Sequence, residues 1–368
     1  MLFNWFRRRS KPPANAHANV ELTTALDDPR PASDFMPPAE AEAPPVSPPA
    51  AASAADLAAL HEQLSGLVGE RVQSLLSSLP PRGDHQDVRQ LLDQLAHSEE
   101  GTIRPIPTAA KRAMMLARNP QANLNEVADA FERDPSLAEG LLRLANSSWY
   151  SRDDEQVGSL RDALQRIGSS GAETVIMEHA LKGTLCRPGG AYDSLVAQVW
   201  THLSRTAPIA RSLAGTFGVD PDTAFMLGLL HDAGKLVLFD ALSESRHRLH
   251  HAVHIPLPIL RAILRELHEP LGGLAMLRWG LDVEWAKAVA DHHRRGAGHA
   301  ANVAAELLFV AERADLALAG GTPCDIAAWI EAGRLLMGPG TLQLALDRAS
   351  DGALRFQDSP DMDFRLAA

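Results

Sequence analysis

The sequence predicts an all-α protein, a multi-helix bundle that follows a disordered Pro/Ala-rich N-terminal tail. Leu and Ala are abundant, while aromatic residues make up only 5% of the chain, a balance that favours helices over strands. Apolar residues recur at spacings of three and four in segment after segment, as on the buried face of a helix. No run of alternating polar and apolar residues is long enough to predict a sheet. A helical core is therefore expected wherever the tail ends.

The tail is predicted to span residues 1–55, which hold 10 of the 25 prolines. Its Pro- and Ala-rich stretches bury too little apolar area to offset the entropy lost on ordering. Its first residues include the basic and aromatic run WFRRRSK, for which two interpretations stay open. Residues 2–9 could contact an anionic membrane surface as a peripheral anchor, or they could form an unstructured basic terminus without that role.

The charge of the chain argues against nucleic acid as a partner. Its formal net charge is −11, whereas contacts with phosphates require a basic face. No apolar run is long enough to predict a transmembrane segment, and the first residues lack the apolar core and cleavage site of a signal peptide. The two cysteines, Cys186 and Cys324, form neither a CxxC motif nor a disulfide framework. We therefore expect a cytoplasmic protein.

An amphipathic helical segment is predicted over residues 56–100. Its first helix covers 56–80 and ends at PPRG, and its second covers 85–97. Apolar side chains recur along one face of the first helix, at Leu60, Leu64, Leu67, Val72, Leu75 and Leu76. Such a face packs against another element or mediates self-association. The main helical domain is predicted over 101–320, followed over 321–368 by short C-terminal helices and an acidic tail.

Capping residues mark where helices of the main domain begin. Each has a side-chain oxygen that can accept an unpaired N–H of the first turn, and they are Asn123, Asp134, Ser159 and Asp220. Pro135 and Pro221 follow two of them at the first helical position, where no N–H is needed. Gly168 is predicted to end the helix that starts after Ser159. The domain is thus expected to be a succession of helices joined by short connections.

Histidine and aspartate recur on the apolar faces of these helices. A helix over 191–214 turns His202 towards the interior. The run GLLHDAGKLVLF then places His231 and Asp232 in an apolar stretch, near the end of a helix that can turn at Gly234. A His-Asp pair in such a place either takes part in chemistry or is a remnant of a site.

Further polar residues follow on later helices. In DVEWAKAVADHHRR, His292 is the inward member of the tandem pair, and His293 lies about 100° round the helix. The last helix of the domain carries Glu312 and Asp315 beside its apolar stripe. Between these elements lies His268, directly before a helix predicted to begin at its neighbours Glu269 and Pro270.

Several imidazoles and carboxylates on successive helices are typical of a metal site in a helical bundle. A lone histidine on an apolar face is usually a hydrogen-bonded core residue, but the set changes that expectation. The candidate ligands are His202, His231, Asp232, His268, His292, His293 and Glu312. Iron, manganese, zinc or magnesium would suit them better than calcium. Lys235 is a candidate contact for a phosphate.

Four segments of the chain resemble the HDOD family, the HD-related output domain of bacterial signalling proteins. They are DPSLAEGLLRLANSSWY, SLRDALQRIG, LLHDAGKLVLF and GGLAMLRWGLDVEWAKAVADHH, in that order. The resemblance spans residues 103–318 and implies an HD-like helical bundle, related to the HD metal-dependent phosphohydrolases. It also implies a regulatory or interaction module, because most members of the family have lost metal ligands.

The resemblance extends to single residues. His202 matches the first histidine of the HD superfamily, His231 and Asp232 match its signature pair, and His292 and His293 match its later tandem histidines. Two departures stand out. The last helix offers Glu312 where a phosphohydrolase presents an aspartate, and HHRRGAGHA lacks the DGxGYP run of the cyclic-di-GMP phosphodiesterases.

Three interpretations follow from these residues. The first is a cytoplasmic signal-transduction module that binds other signalling proteins and is not an enzyme, with no cofactor or with a bound divalent metal. The second is a metal-dependent phosphohydrolase acting on a nucleotide or phosphodiester. The third is a structural pair in which Asp232 only holds His231 by a hydrogen bond. No phosphate-binding loop, nucleophile elbow or Cys-His arrangement suggests another chemistry.

Overall fold

The computed structural model describes residues 53–79, 85–97, 103–119, 121–147, 150, 156–186, 192–249, 255–293 and 302–318. Within these ranges all regular structure is helical, so the predicted all-α class is confirmed. The helices are α1 (Ala54–Ser78), α2 (Gln86–His97), α3 (Thr108–Arg118), α4 (Leu124–Glu132), α5 (Pro135–Ala145), α6 (Leu160–Leu185), α7 (Asp193–Phe217), α8 (Pro221–Leu230), α9 (Ala233–Leu249), α10 (Leu257–Arg278), α11 (Val283–Ala290) and α12 (Val303–Leu318).

Some predictions concern parts of the chain outside these ranges. They include most of the tail (1–55), its basic stretch 2–9, Cys324 and the C-terminal segment 321–368. Among the helices that are described, none combines the length and apolar character that crossing a membrane requires.

The first helix, α1, begins with a capping box. Ser53 Oγ accepts the backbone N–H of Asp56, and the Asp56 carboxylate accepts the N–H of Ser53. One face of α1 packs against α2 and α10 and buries Leu60, Leu64, Val68, Val72 and Leu75. Leu67, which the sequence placed on this face, is only partly buried. Val68 occupies the buried face in its place, because Leu64, Val68 and Val72 follow one another at spacings of four residues.

The capping residues act as predicted. Side-chain oxygens accept first-turn N–H groups at four helix starts, those of Asn123, Asp134, Ser159 and Asp220. Gly168 interrupts α6 with a φ of 68°, a left-handed conformation that glycine adopts without steric cost. The predicted end of that helix is therefore a break, and a second helical stretch continues directly to Leu185.

Helices α7 to α12 surround the polar residues of interest. α8 packs along α7, α9 and α11 pack on α10, and α12 packs on α7. Two glycines allow close approaches. A Cβ at Gly228 would lie 2.7 Å from Ala207 Cα, and a Cβ at Gly234 would overlap the carbonyl oxygen of His268. The start of α9 therefore lies directly against the middle of α10.

The prediction that a helix begins at Glu269 and Pro270 is wrong. Both residues lie inside α10, which runs continuously past His268. Pro270 has no N–H to donate to the carbonyl of Glu266, four residues earlier. Arg71 of α1 donates to that carbonyl instead. The helix tolerates an internal proline here because the freed acceptor has another donor.

Candidate metal centre

The His-Asp pair lies in the turn between α8 and α9, with both side chains fully buried. His231 Nδ1 lies 2.8 Å from the carbonyl oxygen of Gly228. A carbonyl can only accept, so Nδ1 donates and carries the hydrogen. Nε2 of the neutral ring then keeps its lone pair, 3.6 Å from Oδ2 of Asp232. The pair thus presents a free nitrogen and a carboxylate to the same space.

His202 reaches this space from α7 and is held by Asp315 of α12. Its Nδ1 lies 2.8 Å from Asp315 Oδ2. Arg205, nearly one turn along α7, donates to both oxygens of Asp315 at 2.7 and 2.9 Å. The other ring nitrogen, His202 Nε2, lies 3.2 Å from His231 Nε2 and 3.6 Å from Asp232 Oδ2. Asp315 therefore orients His202 from behind.

The approach of His202 and His231 constrains the contents of the site. Each ring directs Nδ1 to an acceptor, so both neutral rings would direct Nε2 lone pairs at each other across 3.2 Å. Two facing lone pairs repel at this separation. An added proton on one ring, or a cation bound by both, removes the repulsion.

His268 of α10 and His292, just after α11, approach the other oxygen of Asp232. Each ring places Nδ1 2.6 Å from a carbonyl three or four residues earlier in the chain, that of Leu264 for His268 and that of Val289 for His292. The two Nε2 atoms lie 3.6 and 3.8 Å from Oδ1 of Asp232. In the described part of the chain these three atoms are buried without a hydrogen-bond partner.

His293 completes the cluster from a turn. The sequence placed both tandem histidines on the helix, but α11 already ends at Ala290. Its ring centre lies 4.1 Å from that of His292, and its Nδ1 lies 3.2 Å from Oε2 of Glu312 on α12. Its backbone N–H donates to Oε1 of Glu269, a buried carboxylate of α10, at 2.9 Å. Glu269 thus fixes the backbone that carries this ring.

Two groups of potential ligand atoms share Asp232. Within each group the atoms lie within 4.8 Å of one another. The first group is His202, His231 and Asp232, and the second is Asp232, His268, His292 and His293. Atoms that share one ion at bond lengths of about 2.0–2.2 Å lie at most about 4.4 Å apart. The 3.2 Å between His202 and His231 and the 3.6–3.8 Å from Asp232 to four of the histidines lie within that limit. Together with the orphaned nitrogens and the shared carboxylate, these distances fit a metal site.

Burial and charge favour the protonation states that a metal requires at Asp232, His231, His268 and His293, but not at His292. Burial raises the pKa of Asp232, but Lys235 and His231 outweigh that effect and hold the pKa well below its usual range. Burial lowers the pKa of His268 to about 3 and also lowers those of His231 and His293. At neutral pH the ionised Asp232 carboxylate therefore shares the cluster with neutral imidazoles at His231, His268 and His293, and ligands must be deprotonated to bind a metal.

The remaining residues titrate differently. Burial lowers the pKa of His292, but the nearby Asp232 carboxylate outweighs it, so the pKa is raised. Burial, followed by the charge of Asp232, raises the pKa of Glu312. Burial also raises that of Asp315, but hydrogen bonds from His202 and Arg205 lower it overall. The two carboxylates of α12 are thus tuned in opposite directions.

Lys235, the predicted phosphate contact, pairs with Oδ2 of Asp232. Its side chain is 23% exposed, so the ammonium group lies between the buried carboxylate and the surface. The charge that was expected to meet a phosphate is engaged inside the cluster.

All candidates predicted from the sequence come together in one place. Glu312 meets a histidine but belongs to neither group of ligand atoms, and Asp315 supports His202 instead. Sequence reasoning missed Arg205 and Glu269 as supporting residues. A signal existed for Arg205, because it lies three residues after His202 on the same face of the helix. Helical spacing gave no such signal for Glu269, which directly follows His268.

The fold and the cluster define a class: a helical protein with a buried histidine–carboxylate centre formed by side chains of several helices and of the turns between them. The chain belongs to the HDOD domain family, whose model matches residues 103–295. This range includes both groups of ligand atoms, whereas α1 and α2 precede it and α12 follows it. No curated protein sequence matches the chain.

Solved structures with similar folds carry names of two kinds. A "Putative metal-dependent phosphohydrolase" from Shewanella amazonensis SB2B is 19% identical, with a TM-score of 0.56 over 73% of this chain and 99% of that chain. A "Putative phosphohydrolase" from the same organism is 21% identical, with a TM-score of 0.54 over 73% and 97%. A "Putative signal transduction protein" from Marinobacter aquaeolei VT8 is 22% identical, with a TM-score of 0.52 over 82% and 67%. At these identities the likeness concerns the fold.

Proposed function

We propose that this chain is a cytoplasmic signalling module whose HDOD domain binds divalent metal ions around Asp232 and acts through protein interaction without turning over a substrate. The observation that supports metal binding is the common orientation of the imidazole rings. His231, His268 and His292 each direct Nδ1 to a backbone carbonyl and Nε2 towards the same carboxylate. A second layer that fixes ring orientation in this way accompanies most metal-binding histidines.

The types of ligand in the two groups limit which metal ion the site would prefer. Imidazoles outnumber carboxylates in both groups of ligand atoms, which favours iron, manganese or zinc over magnesium, since magnesium prefers oxygen ligands. His202, His231 and Asp232 would hold one ion, and Asp232 with His268, His292 and His293 would hold another. A bound ion would supply Lewis acidity and lower the pKa of a bound water.

Three features support regulation over hydrolysis. The ammonium group of Lys235 pairs with Asp232, so it is not free to contact a phosphate. The last helix presents Glu312 where the phosphohydrolase pattern has an aspartate, and that carboxylate lies outside both groups of ligand atoms. The sequence after His293 lacks the DGxGYP run.

A second candidate is a metal-dependent phosphohydrolase acting on a nucleotide or phosphodiester. The observation in its favour is that one carboxylate, Asp232, is common to both groups, an arrangement that can place two ions side by side for an in-line displacement. Two of the structures with a similar fold are named as phosphohydrolases, which supports the same candidate.

Metal analysis of the full chain, purified without chelator, tests the proposal. We expect stoichiometric iron, manganese or zinc in the wild type and none in the double variant His231→Ala, Asp232→Ala. The control is His179→Ala, which removes a histidine on α6 that pairs with Asp134. A wild type without metal that is only destabilised by the double substitution would contradict metal binding and leave a structural pair.

Turnover separates the two candidate functions. The metal-loaded protein is incubated with a panel of nucleotides and phosphodiesters in Mn²⁺ or Fe²⁺. We expect no hydrolysis above that of the double variant. Turnover that disappears in the double variant would replace the regulatory proposal with the hydrolytic one.

A further inference from the structure

Helix α1, which precedes the part of the chain matched by the family, reaches α10 through Arg71. The guanidinium donates to the carbonyl oxygen of Glu266. That oxygen is available because Pro270 lacks the N–H that would otherwise complete the helix. The proline therefore creates an acceptor on the surface of α10 that an arginine from α1 occupies.

The same guanidinium lies beside the carboxylate of Glu269. Arg71 Nη1 is 3.7 Å from Glu269 Oε2, and the two side chains are 18% and 6% exposed. The other oxygen, Oε1, accepts the backbone N–H of His293 at 2.9 Å. His293 follows the end of α11, where helical hydrogen bonding no longer fixes the backbone. A continuous chain of contacts thus leads from α1 to a candidate ligand.

Apolar packing brings the same elements together. A Cβ at Gly273 of α10 would lie 2.9 Å from Leu64 Cδ1 of α1 and 2.8 Å from the Cβ of Ala290, the last residue of α11. Only glycine leaves room for both neighbours. The helix that carries Arg71 is therefore packed against the point where the chain turns into His292 and His293.

We propose that α1 completes the metal centre, with Arg71 and Glu269 as positioning residues that hold His293 in place to bind the ion. Docking of α1 on α10 then sets the affinity of the group formed by Asp232, His268, His292 and His293. This inference rests on the proposed metal binding. It adds a control point outside the matched domain, since displacement of α1 by a partner would release His293 and weaken the hold on the ion.

Titration of the EDTA-treated full chain with Co²⁺ tests this inference, because visible absorption of bound Co²⁺ reports the number and geometry of its ligands. Arg71→Met is expected to weaken binding by about 10-fold, at the low end of the 10–100-fold typical of an outer-shell change. It should also alter the spectrum at saturating Co²⁺. Arg71→Lys, which keeps the charge, should restore most of the affinity.

Glu269 provides a second variant that leaves Arg71 in place. Glu269→Ala removes the acceptor of the His293 N–H and should change affinity and spectrum as Arg71→Met does. Glu269→Gln keeps an acceptor oxygen and should restore the spectrum. The double variant Arg71→Met, Glu269→Ala should bind Co²⁺ no more weakly than Glu269→Ala, because residues that act through one contact chain are not additive.

The control is Arg265→Met, which removes an exposed arginine of α10 paired with Glu266. Wild-type binding combined with unchanged affinity or an unchanged saturated spectrum in Arg71→Met and Glu269→Ala would overturn the inference and leave the proposed function standing. Fully additive effects would overturn it as well. A wild type that binds no Co²⁺ would overturn both.

Discussion

His268 Nε2 and Asp232 Oδ1 lie 3.6 Å apart in the interior, and neither has a hydrogen-bond partner in the part of the chain that the structure describes. A buried polar atom left unpaired costs about 1–3 kcal/mol. The protein carries that cost twice at one point, on a nitrogen and on an oxygen. A cation would satisfy both atoms, which makes this pair the most direct target for substitution.

The variant His268→Gln is expected to weaken metal binding by more than the roughly 10–100-fold of an outer-shell change, because it removes a ligand. Isothermal titration of the metal-free protein with Mn²⁺ or Zn²⁺ measures the effect. The matched control is His179→Gln, since His179 lies on α6 and pairs with Asp134. Equal affinities of His268→Gln and the wild type would remove His268 from the ligand set.

Asp315 offers a test of the second layer. In Asp315→Asn an uncharged amide faces His202 Nδ1. The ring is then held less firmly, and its Nε2 becomes a weaker metal ligand. We expect metal affinity to fall by about 10–100-fold with little change in stoichiometry. Asp222→Asn changes a carboxylate that pairs with Arg211 and serves as the control. A loss of equal size in both variants would indicate a general effect on stability.

The metal-free protein should become less stable as the pH decreases, because of His268. Burial lowers its pKa to about 3, from an ordinary value of 6.5 that the unfolded chain retains. Between these two pH values the unfolded state binds a proton that the folded state does not, so acid favours unfolding. This stabilisation is fully present above pH 6.5 and is lost as the pH falls towards 3.

Urea unfolding in EDTA at several pH values between 7.5 and 4.5 measures the effect. Each such histidine contributes a slope of up to about 1.4 kcal/mol per pH unit. His268→Gln should lower the slope relative to the wild type. An unchanged slope would show that His268 is protonated in the folded protein at mildly acidic pH.

The close approach of α9 and α10 gives a prediction outside the ligands. Gly234→Ala would place a methyl group on the carbonyl oxygen of His268, and backbone cannot move aside as a flexible side chain can. We expect a destabilisation of about 1–3 kcal/mol or more, typical of overpacking, together with weaker metal binding. Thermal unfolding and metal titration measure the two effects.

Gly183→Ala is the matched control for Gly234→Ala. Gly183 lies in α6 with open space around it, so alanine there should stabilise the helix by about 0.5–1 kcal/mol. If the two variants unfolded at the same temperature, the contact between α9 and α10 would be looser than the structure indicates.

Local signals in the sequence predicted most of the helices and the set of polar residues. Capping at Asp134, Ser159 and Asp220 depends on neighbours within three residues, and the structure has each cap. The continuation of α10 through Pro270 could not be predicted, because the donor that compensates for it, Arg71, comes from a distant helix. Propensity alone places a helix boundary at such a proline.

The internal arrangement of the site was also beyond the sequence. Helical periodicity turned His202 and His292 inward, and both lie in the cluster. Which nitrogen each ring presents depends on acceptors that only the folded backbone supplies. The same limit applies to Glu312 and Asp315, since the packing of α12 on α7 decides which carboxylate meets His202.

Hydrogen bonds tie the rings of His231, His268 and His292 to carbonyls three or four residues earlier in the chain. Because the ligand rings are already held in place, binding of a metal ion changes the charge of the site but hardly its geometry. Crystals of the empty and the filled protein should therefore superimpose around Asp232. A partner would then sense the charge of the metal centre or the position of the helices around it. It would not sense a rotation of the histidine rings.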